Sequence, residues 1–240
     1  MDPNNQQPDP APDAHGYSVP WRPIDNWIGV ALLVLIGTVV AIIMLQAPRT
    51  ELVQSAAVVL LESAYLLPVV LIFAWRRIHW KDLGFGKFEW KTLGIGCGLL
   101  VASYAIIMLH GALLYYLGVE TQGEAIMKLL AQLDSPVWFF IVIAVFAPFV
   151  EEVFFRGFLF QGFRQKYGWT NAMLVSSAVF AAAHLDLAVL IPTFIMGCVL
   201  AYVYHKSNSV WPGVILHSLN NAFGFCAIYF AMYFQDSIPL

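Results

Sequence analysis

Apolar residues in this chain seldom alternate with polar ones; they come in runs about as long as the roughly 20 helical residues that cross a bilayer's hydrocarbon. Seven such runs fall at 27–46, 55–75, 93–118, 137–163, 170–187, 189–205 and 211–234. None has the period of two expected of a membrane-barrel strand, so the backbone polar groups must be satisfied within helices. The pattern predicts an all-α fold, a polytopic helical membrane bundle of about seven transmembrane helices, or eight with a re-entrant or interfacial helix. Pro148 and Pro192 are expected to kink their helices.

The first 26 residues are rich in Pro, Asn, Gln and Asp. They lack the basic start and early apolar core of a cleavable signal peptide. They are expected to form a disordered tail (1–26) before one membrane domain (27–240) whose core is 137–234. Composition agrees: 60% of residues are apolar and 11% charged, against about 25% charged in soluble domains. A net charge of −3 gives no nucleic-acid footprint, so the expected partners are lipid and what lipid delivers. Cys97, Cys198 and Cys226 fall in apolar stretches and are expected as small core residues.

Basic residues are uneven between the connections. Arg22, Arg76, Arg77, Lys81, Lys87, Lys91, Arg164, Lys166 and Lys206 share one side, against Arg49 and Lys128 on the other. The positive-inside rule then predicts a cytoplasmic N-terminus and an external C-terminus.

An ionisable group in a bilayer costs at least about 2.5 to 3.5 kcal/mol, so each needs a partner, a wet cavity or a function. The fourth run carries Glu151, Glu152 and Arg156, the fifth His184, and the seventh His217, Asn220 and Asn221. Residues four apart share a helix face, so Glu152 can pair with Arg156 and His217 with Asn221. Glu151, about 100° round the helix, is left to face a cavity. A carboxylate against a low-dielectric wall suits a general base for amide hydrolysis, and a His ring and an Asn amide suit an oxyanion. Ser176 and Ser177 precede His184 among small packing residues, so a covalent mechanism is the weaker reading. Glu62 is expected to hydrogen-bond a neighbouring helix, and Asn220 to serve packing or a helix–helix hydrogen bond. His79, His110 and His205 are expected at interfacial water, and Glu120, Glu124, Lys128 and Asp134 in an amphipathic external connection.

These residues resemble the marks of the CAAX-protease and bacteriocin-processing membrane proteases. Glu151-Glu152 with Arg156 matches the family's Glu-Glu-x-x-x-Arg motif, Phe180 with His184 its Phe-x-x-x-His motif, and His217 with Asn221 its His-x-x-x-Asn motif. Trp80-Lys81-Asp82-Leu83-Gly84 is similar to the segment before the family's core. The resemblance implies an intramembrane glutamic protease, related to the CAAX prenyl endopeptidases, opening toward the cytoplasmic leaflet of what looks like a bacterial plasma membrane. It implies Glu151 activating water with His184, an oxyanion site of His217 and Asn221, and Glu152, Arg156 and Phe180 as their support. The expected substrate is a membrane-associated peptide or protein, lipidated or not, with no cofactor.

Three alternatives stay open. Two His and a Glu are legitimate zinc ligands, although no His-Glu-x-x-His helix is present. A scaffold or immunity protein could keep this fold without catalysis. A proton-coupled transporter could use Glu151 and His184 as a relay, although no internal repeat is visible.

Overall fold

The computed structural model describes residues 18–47, 51–131, 133 and 135–235. The tail up to residue 17, Arg49 and Asp134 lie outside the described residues. Helices dominate: α1 (Pro23–Gln46), α2 (Glu51–Ser63), α3 (Leu66–Arg76), α4 (Trp90–Tyr116), α5 (Gln122–Leu130), α6 (Pro136–Ile141), α7 (Ala147–Glu152), α8 (Gln161–Ala183), α9 (Leu190–Ser207) and α10 (Trp211–Gln235). Among the described residues, five helical runs are long and apolar enough to cross a membrane; the longest, Pro136–Ala183, is kinked at Gly168 (φ 74°, ψ 166°), between the fourth and fifth apolar runs. The protein is a polytopic helical membrane bundle. Each of the seven apolar runs is largely helical, but the second is split between α2 and α3, the fifth stops at Ala183, and Pro192 sits in the first turn of α9, where its missing N–H costs nothing, so it does not kink that helix.

The outside of the bundle is apolar. Val34, Leu35, Ile42 and Ile43 on α1, Val101, Ile106 and Met108 on α4, and Leu219, Phe223 and Phe230 on α10 are all exposed. Cys97 and Cys226 join this surface, contrary to the core position expected of them; small size did not decide their burial. The packed interior is the stretch 150–163, buried at every position. Phe154, Phe155, Phe158, Phe160 and Phe163 fill it, with Phe155 edge-on to Phe180 at 5.0 Å and Phe160 edge-on to Tyr204 at 5.7 Å. Helices α8 and α9 approach closely because Gly197 has no side chain; a Cβ there would lie 2.9 Å from Ser177 Cβ.

One end of the bundle is stapled by polar contacts to main-chain groups. Gln161 Nε2 donates to the Asp82 carbonyl (3.1 Å), Gln165 Nε2 to that of Trp21 (2.6 Å), and Ser209 Oγ to that of Gly86 (2.7 Å). Arg76, Arg77, Lys81, Lys87, Arg164 and Lys206 belong to the segments gathered there. The same contacts correct the expected tail: residues 18–26 are not all free. Trp21 is fully buried against Phe73 and Phe158, Asn26 donates to the Leu159 carbonyl at 2.7 Å, and Asp25 pairs with Arg76 at 2.7 Å. A single Trp in a Pro-rich segment carries no periodic signal of burial. Elsewhere, α5 forms the expected amphipathic connection and packs against α10. Glu120 pairs with Lys128 at 3.0 Å. His205 is stacked on Trp169, with ring centroids 4.6 Å apart, where only interfacial water was expected.

Candidate active site

Glu151 and Glu152 end α7, a short α-helical stretch between two π-helical turns, Val142–Phe146 and Val153–Phe160. Proline explains the first. Pro148 has no N–H to give, and its ring would press on the carbonyl of Ala144. The helix widens there, and Ala147 N–H bonds to Val142 five residues back. The expected kink is thus a wide turn immediately before the carboxylates.

Glu152 is completely buried and held from two sides. Its Oε1 accepts from Arg156 Nη1 at 2.6 Å and from His217 Nδ1 at 3.2 Å. Arg156 also donates to the Gly197 carbonyl at 3.1 Å and lies 4.5 Å over the Phe180 ring. Gly213 permits the approach of α10, because a Cβ there would sit 2.6 Å from Glu152 Oε2. The Glu152–Arg156 pair is the one the four-residue spacing predicts.

Glu151, 6% exposed, has different company. Its Oε2 lies 3.8 Å from His217 Nε2, beyond hydrogen-bond length, and takes no conventional donor. The carboxyl lies instead in the field of Glu62 on α2, whose Oε2 is likewise buried without a partner. Tyr65, packed on Phe154 and Phe155, feels both acids. Helix α2 stops at Ser63 because Pro68 cannot bond the Ala64 carbonyl, and the break sets Glu62 and Tyr65 on either side of it. An acid in an apolar run signalled a role for Glu62, but nothing in its spacing named the partner.

His217 thus bridges the two carboxylates. Its expected partner Asn221 turns elsewhere, donating to the Ile143 carbonyl at 3.0 Å within the first π turn. No hydrogen bond joins His217 to Asn221, because the wide turn at Val142–Phe146 offers Asn221 a carbonyl that an α-helix would keep to itself. Asn220 receives a hydrogen bond from Tyr104 on α4 at 2.8 Å, the helix-to-helix bond that was one of its two expected roles.

His184 caps α8 and is not inside a span. Its Nδ1 donates to the Phe180 carbonyl at 2.9 Å, since a carbonyl only accepts, and Nε2 keeps its lone pair. Phe180 stands edge-on to both imidazoles, 4.9 Å from His184 and 5.8 Å from His217. No hydrogen bond or ion pair joins His184 to Glu151 among the described residues. Nor, among those residues, do any three His, Cys, Asp or Glu side chains converge as metal ligands. Glu151, His184 and His217 are the right types for zinc, but they do not form a ligand set.

The helices bearing these groups also carry a family signature. Residues 133–223 match the family model described as type II CAAX prenyl endopeptidase Rce1-like. The matched segment is similar to that family and contains Glu151, Glu152, Arg156, Phe180, His184, His217 and Asn221. The chain is also 25% identical over 160 residues to the "Putative membrane peptidase YdiL" of Bacillus subtilis, covering 65% of each chain. It is 33% identical over 88 residues to the UPF0177 protein YxdF of Lactococcus lactis, covering 36% of this chain and 48% of that one. A 24.3 kDa protein of Escherichia coli is 30% identical over 138 residues, 51% of this chain and 60% of its own. The chain thus spans less than two thirds of the length of these relatives. No solved structure matches it.

Proposed function

We propose that the protein is a membrane-embedded endopeptidase that cleaves a peptide bond of a membrane-associated peptide or protein with a Glu151-activated water. The observation that carries this reading is the division of labour between adjacent acids. Glu152 is held by Arg156 and His217, while Glu151 keeps an oxygen without a conventional donor beside the His217 ring. In the proposed reaction Glu151 takes a proton from water as the water oxygen bonds to the scissile carbonyl carbon. The carbonyl π electrons move to oxygen, where Asn221 and His217, the latter protonated at Nε2 as well as at the Nδ1 that serves Glu152, donate to the resulting oxyanion. Collapse breaks the C–N bond, and the proton held by Glu151 passes to the leaving amine. For this Asn221 exchanges its bond to the Ile143 carbonyl for one to the substrate. His184, whose Nε2 lone pair is unused, assists the water from across Phe180.

The basic segments gathered at one end favour that end as cytoplasmic, with the C-terminus outside a bacterial plasma membrane. A prenylated substrate is one member of the proposed class, in keeping with the family description. The test is cleavage of a fluorogenic peptide library in detergent by wild type and Glu151→Ala, each with and without a strong chelator. Chelator-resistant cleavage that disappears in the variant is expected. Cleavage that needs added zinc would overturn the metal-free mechanism, and a fully active variant would remove Glu151 from it.

A further inference from the structure

Glu62 lies on α2, outside the matched domain and outside every motif that drew attention to the site. Burying a second carboxyl beside Glu151 is costly unless it acts there. Glu62 Oε2 and Glu151 Oε2 are both buried without a hydrogen-bond partner, on helices α2 and α7 that pack together, and each carboxyl lies in the other's field. Two carboxylates cannot satisfy each other, because each only accepts. One proton between them satisfies both.

We propose that Glu62 is a positioning residue that shares a single proton with Glu151 and thereby aims the Glu151 carboxylate at the water. This rests on the reading of Glu151 as the general base. With Glu62 protonated, its O–H donates to one Glu151 oxygen and the other is left for the water. Loss of that proton sets two like charges in contact, and the carboxylates part. The groups facing the pair are Glu152, Arg156 and His217 on the far side of Glu151, and Tyr65 beyond the break in α2. The π turn at Val142–Phe146, which also packs on α2, carries no titratable residue. On α1, Asp25 is committed to Arg76.

The experiment compares kcat, KM and the pH–rate profile of wild type, Glu62→Gln and Glu62→Leu on one fluorogenic peptide, with thermal unfolding in detergent confirming that each is folded. Glu62→Leu is expected to lower kcat by about 10- to 100-fold with little change in KM, the scale of a misplaced catalytic group. Glu62→Gln, whose amide still donates but does not titrate, is expected to recover most of that loss and to abolish the alkaline fall in rate attributed to the shared proton. Wild-type kcat and profile in Glu62→Leu would overturn the proposal while leaving Glu151 in place. Equal losses in both variants with an unchanged profile would overturn it too. Undiminished activity of Glu151→Ala would instead overturn the underlying reading.

Discussion

Glu151 and Glu152 are adjacent in sequence, yet the surroundings of one are built for charge and those of the other are not. Glu152 meets a guanidinium at 2.6 Å and an imidazole at 3.2 Å; Glu151 meets another acid and the far nitrogen of that same imidazole. The 100° step of a helix separates the two environments. One side holds its carboxylate by ion pairing, and the other keeps a buried carboxyl that the ion pair neither neutralises nor releases to solvent.

The sharpest way to break this contrast is to neutralise each acid in turn. Glu151→Gln is expected to lower the rate of peptide cleavage by about 10²- to 10⁴-fold, the range of a lost general base, while the protein unfolds no more easily in detergent. Glu152→Gln should show the reverse emphasis, with lowered thermal stability alongside any loss of rate. If both variants lose activity and stability together, the two acids are not doing different jobs.

Next in size is the cation. Arg156→Met leaves Glu152 buried with only His217 for company, and breaking a buried pair from one side costs about 3 to 5 kcal/mol. Denaturant unfolding of the detergent-solubilised protein should register a loss of that order. A double variant, Glu152→Gln with Arg156→Met, should recover part of it, because no uncompensated charge remains. A single variant as stable as wild type would show that water reaches Glu152 freely.

The two environments were unequally legible in the sequence. Spacing alone predicts the Glu152–Arg156 pair, because both partners lie on one helix and a four-residue step fixes their face. The Asn220 bond was anticipated as a kind of contact, without its partner Tyr104. What spacing does not encode is contact between distant helices. Glu62 reaches Glu151 through a break set by Pro68, and Asn221 reaches Ile143 through a turn widened at Pro148. Both depend on proline consequences that hydropathy does not display. The apolar runs made the helical bundle legible because lipid leaves the backbone few other options. The burial of Trp21 and the exposure of Cys97 and Cys226 were not, since each turns on which neighbour a helix chooses.

A smaller effect separates structural polar contacts from the site. Tyr104→Phe removes the O–H donated to Asn220 and is expected to cost about 1 kcal/mol, the usual net worth of one such bond. Cleavage measured at saturating substrate should hardly change, because Asn220 faces α4 and not the carboxylates. A large loss of rate would mean that Asn220 holds Asn221 in place through their 3.3 Å contact, and would draw Tyr104 into the reacting side of the molecule.

The smallest expected effect lies far from both acids, at the start of α5. Glu124 accepts from the Thr121 backbone N–H at 2.7 Å and from its hydroxyl at 3.1 Å. The Thr121 backbone donor, then its hydroxyl, holds the Glu124 carboxyl below the usual carboxylate range. A group lowered on folding stabilises most above its unfolded value, and that contribution fades as pH falls through the lowered one. Amide exchange across α5, corrected for intrinsic rates, should therefore speed up slightly as the solution is acidified through that window. Glu124→Gln, which still caps but does not titrate, should be insensitive to the same change. The carboxylate pair should not respond to either manipulation, because an exposed cap outside the apolar core acts on one turn of helix and on nothing beyond it. Altered cleavage in Glu124→Gln would instead show that α5 and the site are coupled through α10, against which α5 packs.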